Sequence, residues 1–100
     1  MDQPRINLPT KELADVCRRH HIRRLALFGS VLRDDFRPNS DVDVLVEFEP
    51  DAVVTLLDMV GMEEELAELV GRKVDLRTPQ ELSRYFRDKV LASAVLQYAA

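Results

Sequence analysis

The sequence predicts a small α/β fold built on one mixed sheet of three to four strands flanked by helices. Three observations predict it. Three short runs, residues 23–28, 40–48 and 72–78, have the apolar alternation or apolar continuity of strands, and each stops within two residues of a glycine or proline. Stretches with helical spacing lie before, between and after them. The chain has 100 residues, 46% hydrophobic and 32% charged, the balance of a globular protein with one core. All of 1–100 therefore reads as one domain.

Residues 1 to 8 contain Pro4 and little periodicity and read as an extended arm. A first helix is expected near Thr10, with Pro9 before it, Glu12 in its first turn, and Leu13, Val16 and Cys17 as its apolar stripe. "RRLALFG" reads as a strand ended by Gly29, followed by a short helix from Ser30 to about Asp35 that Pro38 breaks. "SDVDVLVEF" is the clearest strand. Period two sends Val42, Val44, Val46 and Phe48 to one face and Asp41, Asp43, Leu45 and Glu47 to the other. A helix is expected from about Ala52 to Val70, weakened or broken at Gly61 and capped by Gly71. "RKVDLRT" reads as a third strand with Val74 and Leu76 on one face and Asp75 on the other. Thr78-Pro79-Gln80-Glu81 has the form of a capping box. It should open a last helix carrying Leu82, Tyr85, Phe86, Val90, Leu91, Ala94, Val95 and Tyr98.

Composition excludes several function classes. A net charge of −4 argues against a general nucleic-acid binder, whose affinity rests on neutralising phosphates. No apolar run is long enough to cross a bilayer, and no signal-peptide pattern opens the chain, so the expected location is cytoplasmic. The one cysteine, Cys17, cannot form an internal disulfide and fits a buried position. "CRRHHIRR", from Cys17 to Arg24, concentrates positive charge ahead of the Gly-Ser turn. It reads first as a solvated helix end, where cations are favoured, and second as an attractant for polyphosphate. Adjacent His20 and His21 lack metal-ligand spacing.

The chemistry-bearing residues are acidic. Asp41 and Asp43 share one strand face, and Asp75 sits on a strand able to pair alongside. Three carboxylates on one face repel unless a cation neutralises them. Hard oxygen donors suit Mg²⁺, which completes its shell with waters and substrate phosphates. Two such ions shared by Asp41 and Asp43 would clamp the attacking and leaving oxygens of a phosphoryl or nucleotidyl transfer. Asp75 would hold the second ion and help deprotonate the attacking hydroxyl. Gly29 and Ser30 supply the complement: a glycine allows close backbone approach, and the following helix start presents N–H groups to phosphate. Arg33 either reaches those phosphates or pairs with Asp34 or Asp35. An EF-hand is excluded by the valines at 42, 44 and 46, and a Walker loop by the absence of Gly-Lys-Ser/Thr.

Gly29-Ser30, ten intervening residues, Asp41-Val42-Asp43 and Asp75 on a later strand resemble the signature of the DNA polymerase β-like nucleotidyltransferases. "LFGS" after basic residues, "SDVDVLVEF" and "RKVDLRTP" resemble most the minimal nucleotidyltransferases of prokaryotes, and "VLASAVLQYA" is similar to that family's closing segment. The resemblance spans roughly Lys11 to Tyr98. One departure is that Arg33 is followed by Asp34 and Asp35 where the family often has glycine, so this loop is more acidic. The resemblance implies a minimal nucleotidyltransferase domain in which Gly29 and Ser30 hold the triphosphate of ATP. It implies that Asp41, Asp43 and Asp75 are the metal-binding and catalytic carboxylates. It also implies a partner, a HEPN-domain RNase toxin, to which such antitoxins transfer AMP on a tyrosine.

A chain this short has little room for a substrate domain, which favours a macromolecular acceptor. Two alternatives accompany that expectation. The protein neutralises its partner by binding alone, with the apolar last helix as docking surface, or it adenylylates a small molecule.

Overall fold

Val42, Val44 and Val46 set the architecture, because alternation on a strand commits all three to one side of the sheet and their neighbours to the other. The structure, a computed structural model, describes residues 8–32, 37 and 40–100, leaving aside the side chains of Ser30 and Phe86. Most of the expected N-terminal arm, Arg33, and the part of the short helix beyond Leu32 lie outside the described residues. In chain order the elements are α1 (Thr10–Arg19), β1 (Ile22–Phe28), a 3₁₀ turn (Gly29–Leu32), β2 (Val42–Phe48) and α2 (Leu56–Val70). They continue with β3 (Val74–Arg77), a second 3₁₀ turn (Pro79–Glu81), α3 (Arg84–Ser93) and β4 (Val95–Ala99).

The sheet order is β3-β2-β1-β4. β1 runs antiparallel to both neighbours, while β2 and β3 are parallel and joined through α2. The sheet is therefore mixed and four-stranded. Helices α1 and α2 cover one face. Leu13, Val16 and Cys17 of α1 and Met62 and Leu66 of α2 pack with Leu25, Leu27, Val42, Val44, Val46, Val74 and Leu76 in one core. Each such aliphatic side chain contributes about 1.5–3 kcal/mol on burial. β3 is an edge strand, and the Glu63 carboxylate accepts a hydrogen bond from the Leu76 N–H at 2.8 Å, which blunts that edge.

Helix boundaries follow local chemistry. The Thr55 hydroxyl accepts from the Asp58 N–H at 3.1 Å and the Asp58 carboxylate from the Thr55 N–H at 2.9 Å, a reciprocal cap that starts α2 later than Ala52. The Thr55 N–H, and after it the Thr55 side chain, hold the Asp58 carboxyl below its ordinary pKa. α2 runs unbroken through Gly61 and ends at Gly71 in the left-handed region, φ +77°. The arginine-rich segment is used locally. Arg18 pairs with Asp15 at 2.6 Å, while Arg19 and His20 meet opposite oxygens of Glu65 at 2.9 and 3.0 Å, tying α1 to α2. Those three side chains are thus engaged in ion pairs within the protein and not left to solvent alone.

The C-terminal third corrects the expectation of one long helix. Glu81 accepts from both the N–H and the hydroxyl of Thr78, each at 3.1 Å, but that cap supports only one 3₁₀ turn. α3 starts separately, with the Ser83 hydroxyl accepting from the Tyr85 N–H at 3.3 Å. It ends at Ala94, whose ψ of 141° is extended. Val95 and Tyr98, expected on the helix, lie in β4 opposite Leu27 and Leu25. Their spacing fits a helix as well as a strand, and the free edge of β1 decides in favour of pairing. Among the described residues no helix is long and apolar enough to cross a membrane.

Burial leaves Cys17 with no exposed surface and pushes its thiol up from an ordinary 9.0 to about 12. The unfolded thiol therefore ionises first. The contribution of Cys17 to stability is complete below pH 9.0 and is lost as pH rises towards 12. We expect the native protein to resist a thiol-reactive chromophore at pH 8 and to react stoichiometrically once unfolded in urea. Rapid native reaction would contradict this burial.

Candidate active site

The face of the sheet opposite α1 and α2 carries the charged side chains. The parallel register pairs Asp43 with Asp75, and Val42 and Val44 with Val74 and Leu76. Core burial of those four apolar residues thus forces the two carboxylates side by side on strands about 4.8 Å apart. Asp41 lies one residue ahead of β2 and is exposed, while Asp43 and Asp75 are half-buried. Its segment is anchored where the Val42 N–H donates to the Lys73 carbonyl at 2.9 Å and where Arg72 donates to the Arg37 carbonyl at 2.7 Å.

Gly29 approaches from the other side. Phe28 pairs with Asp43 across β1 and β2, so the residue after Phe28 turns over the Asp43 carboxylate. Gly29 has φ +76°, and a Cβ built there would overlap Oδ2 of Asp43 and sit 3.2 Å from its Cγ. Both the backbone conformation and the contact exclude a side chain. The 3₁₀ turn that Gly29 opens then buries Val31 and Leu32 in the core, which fixes the Gly29-Ser30 backbone beside Asp43.

The structure therefore brings together Gly29, Asp43 and Asp75, with Asp41 at the rim and the Ser30 backbone adjoining. Among the described residues no group of three His, Cys, Asp or Glu side chains is placed to hold a metal ion. Asp75 is instead gripped by Arg77, whose Nε lies 3.2 Å from Oδ1 and whose Nη2 donates to Oδ2 at 3.3 Å. Arg77 also reaches Glu81 at 3.8 Å.

A family model described as a nucleotidyltransferase domain matches residues 10–97. The chain belongs to that family. Among its relatives, protein adenylyltransferase MntA of Thermococcus cleftensis is 36% identical over 85 residues, covering 85% of this chain and 81% of the relative. A solved structure provisionally identified as a minimal nucleotidyltransferase is 36% identical, with a TM-score of 0.71 and 86% of each chain covered. A tri-AMPylated Shewanella oneidensis HEPN toxin in complex with its MNT antitoxin provides a further likeness in fold. There the TM-score is 0.63 at 17% identity, over 91% of this chain and 70% of that one.

Within this nucleotidyltransferase fold, Arg77 is the site neighbour that the motif reading passed over. Its signal was present: Arg77 is two residues after Asp75 on one strand, hence on the same face. Its role at the site depends on the pairing that sets Asp75 beside Asp43, which is not local in sequence.

Two glycines separate strain from contact. Gly29 and Gly71 have nearly equal positive φ, +76° and +77°, but only Gly29 faces a side chain, since nothing lies within 4 Å of a Cβ at Gly71. Gly71→Ala should cost about 1–2 kcal/mol by backbone strain alone. Gly29→Ala should cost that and displace Asp43. Urea melts should find the second variant less stable than the first, and nucleotide binding should weaken only in Gly29→Ala.

Proposed function

We propose that this chain transfers AMP from ATP to a tyrosine hydroxyl of a HEPN-type toxin and thereby acts as its antitoxin. The observation that carries this reading is the pairing of Asp43 with Asp75 beneath a glycine that only a side-chain-free turn can occupy. The relative named a protein adenylyltransferase and the fold neighbour bound to a tri-AMPylated HEPN toxin support the donor and the acceptor.

The chemistry of the donors suits a metal, although the three side chains are not drawn together around one point. Asp41, Asp43 and Asp75 offer only carboxylate oxygens, the ligands Mg²⁺ prefers, and the glycine at position 29 lets the backbone come directly against the Asp43 carboxylate. Asp41 and Asp43 would hold Mg²⁺ in this reading, with Asp75 contributing to a second ion. When bound, Mg²⁺ supplies charge neutralisation at the phosphates and lowers the barrier to displacement. The protein's own residues do the rest. Backbone N–H groups at Gly29 and Ser30 orient the β- and γ-phosphates. The acceptor oxygen forms its bond to the α-phosphorus as the bond to pyrophosphate breaks, and its proton passes to a carboxylate oxygen of Asp75. Arg77 holds Asp75 in place for that transfer.

A second reading, neutralisation by binding alone, is favoured by one feature. Val53, Leu56, Leu57 and Val60 are 89, 86, 81 and 50% exposed around the start of α2. Exposed Asp51, Asp58 and Glu64 flank them. A second copy would set these acids against each other, so the cluster suits a different protein with a basic rim. On the last helix, the docking surface expected from sequence, Tyr85 and Leu91 are exposed, but Val95 and Tyr98 pack on the core.

The readings separate in one assay. The protein is incubated with Mg²⁺, α-labelled ATP and the toxin. Label should appear on the toxin and fall by at least about a hundredfold with Asp43→Asn. Full toxin neutralisation by that variant without label would leave binding as the mechanism. Leu57→Ser should weaken toxin capture in a pull-down while leaving ATP affinity unchanged.

A further inference from the structure

We propose that the cleft between α2 and the edge strand β3 is an exosite for the acceptor protein. It seats an amphipathic helix of that protein, one whose apolar ridge is flanked by Lys and Arg. This rests on the reading that the acceptor is a protein, and it names the surface that recruits it.

Sequence spacing builds one wall. Leu56, Val60 and Glu63 follow one another at i, i+4 and i+7 and so form one stripe of α2. Met59 turns from that stripe towards the core, against which it packs half-buried. The other wall comes from β3 and the turn after it, where Leu76 and Glu81 close a hollow of about 360 Å³ with the α2 residues. A second hollow of about 240 Å³ shares Leu56, Met59 and Glu81 with the first and ends on Phe48 and Val54. Together they make one elongated cleft with an apolar floor. Leu56 and Val60 stand exposed at its lip, on a helix whose far side is packed in the core. Such an open apolar strip marks a place for a partner.

Two features choose the occupant. The first is the strand edge. Lys73 gives its carbonyl to β2, so by alternation Leu76 turns its N–H outwards, where the Glu63 carboxylate accepts it at 2.8 Å. An added strand would have to displace that carboxylate, whereas a helix engages the cleft through side chains alone. The second is charge. Glu63 and Glu81 line the β3 side, and the exposed Glu64 and Glu68 follow the stripe on its other side. Arg77 reaches Glu81 at 3.8 Å from the opposite face of β3, but no Lys or Arg among the described residues lines either hollow. An apolar stripe between two acidic rows complements an apolar ridge with basic shoulders.

Placement gives the cleft its part in the reaction. Leu76 lines the cleft, and Asp75, the residue before it, faces the acid side of the sheet. β3 is the last strand on that side, so a protein seated in the cleft passes round a single strand to reach Asp75. Docking there raises the effective concentration of the acceptor hydroxyl at the carboxylates without touching them.

The test follows label transfer from ATP over a range of concentrations of the HEPN-type toxin. Dissociation constants of the toxin and of a non-hydrolysable ATP analogue are measured beside it. The double variant Leu56→Lys, Val60→Lys puts positive charge at two exposed apolar positions. Its KM and dissociation constant for the toxin should each rise at least about tenfold, with kcat and analogue affinity within about twofold of native. Glu64→Lys with Glu68→Lys should weaken toxin binding about threefold and flatten its salt dependence. If circular dichroism melts show the first variant unfolded, Leu56→Ser alone should still raise KM about threefold. A native KM in a folded cleft variant overturns the exosite and leaves the transferase reading standing. Self-association of the native chain that the cleft variant abolishes assigns the cleft to a second copy and overturns the exosite as well. No transfer by the native chain overturns the transferase reading, and the toxin dissociation constants then decide the cleft by themselves.

Discussion

Asp43 and Asp75 lie side by side across a parallel strand pair, and the rest of the site answers the repulsion between them. At about 5 Å two unit charges cost about 1 kcal/mol in water and about 3 kcal/mol at an effective dielectric of 20. The same register buries Val42, Val44, Val74 and Leu76 on the opposite face, each at 4% exposure or less. At about 1.5–3 kcal/mol per buried side chain, the core outweighs the repulsion. The acids are thus held together by the burial of their neighbours. Arg77 relieves part of the charge at Asp75, and the absence of a side chain at Gly29 gives Asp43 room to turn away from β3.

One-sided packing makes that face usable. α1 and α2 both cover the valine face, tied to one another through Glu65, whose carboxyl is held below its ordinary pKa first by Arg19 and then by His20. Among the described residues, the end of α3 reaches the opposite face through Leu91 and Ala94. The carboxylates and an apolar groove therefore share one surface of the sheet.

Much of this was legible in the chain. Period two on "SDVDVLVEF" separated the valines from the aspartates, and both glycine caps fell where positive φ is required. The box at Thr78 was also read correctly as chemistry, but it closes one turn and not a helix. β4 was missed because residues 90–98 satisfy helical and strand spacing alike. The vacant edge of β1 that chooses between them lies about seventy residues away in sequence.

The sequence by itself determined which residues are apolar, which are acidic and where the backbone must bend, because those properties depend on side chains within a few positions of one another. It therefore determined the faces of β2 and the Gly29 turn, and it singled out the candidate acids. Only the tertiary structure decided the register that sets Asp43 against Asp75, the use of Arg77 to hold one of them, and the groove walled by α3. Each of these joins distant segments, and strand pairing and core burial choose among partners that local sequence leaves equivalent.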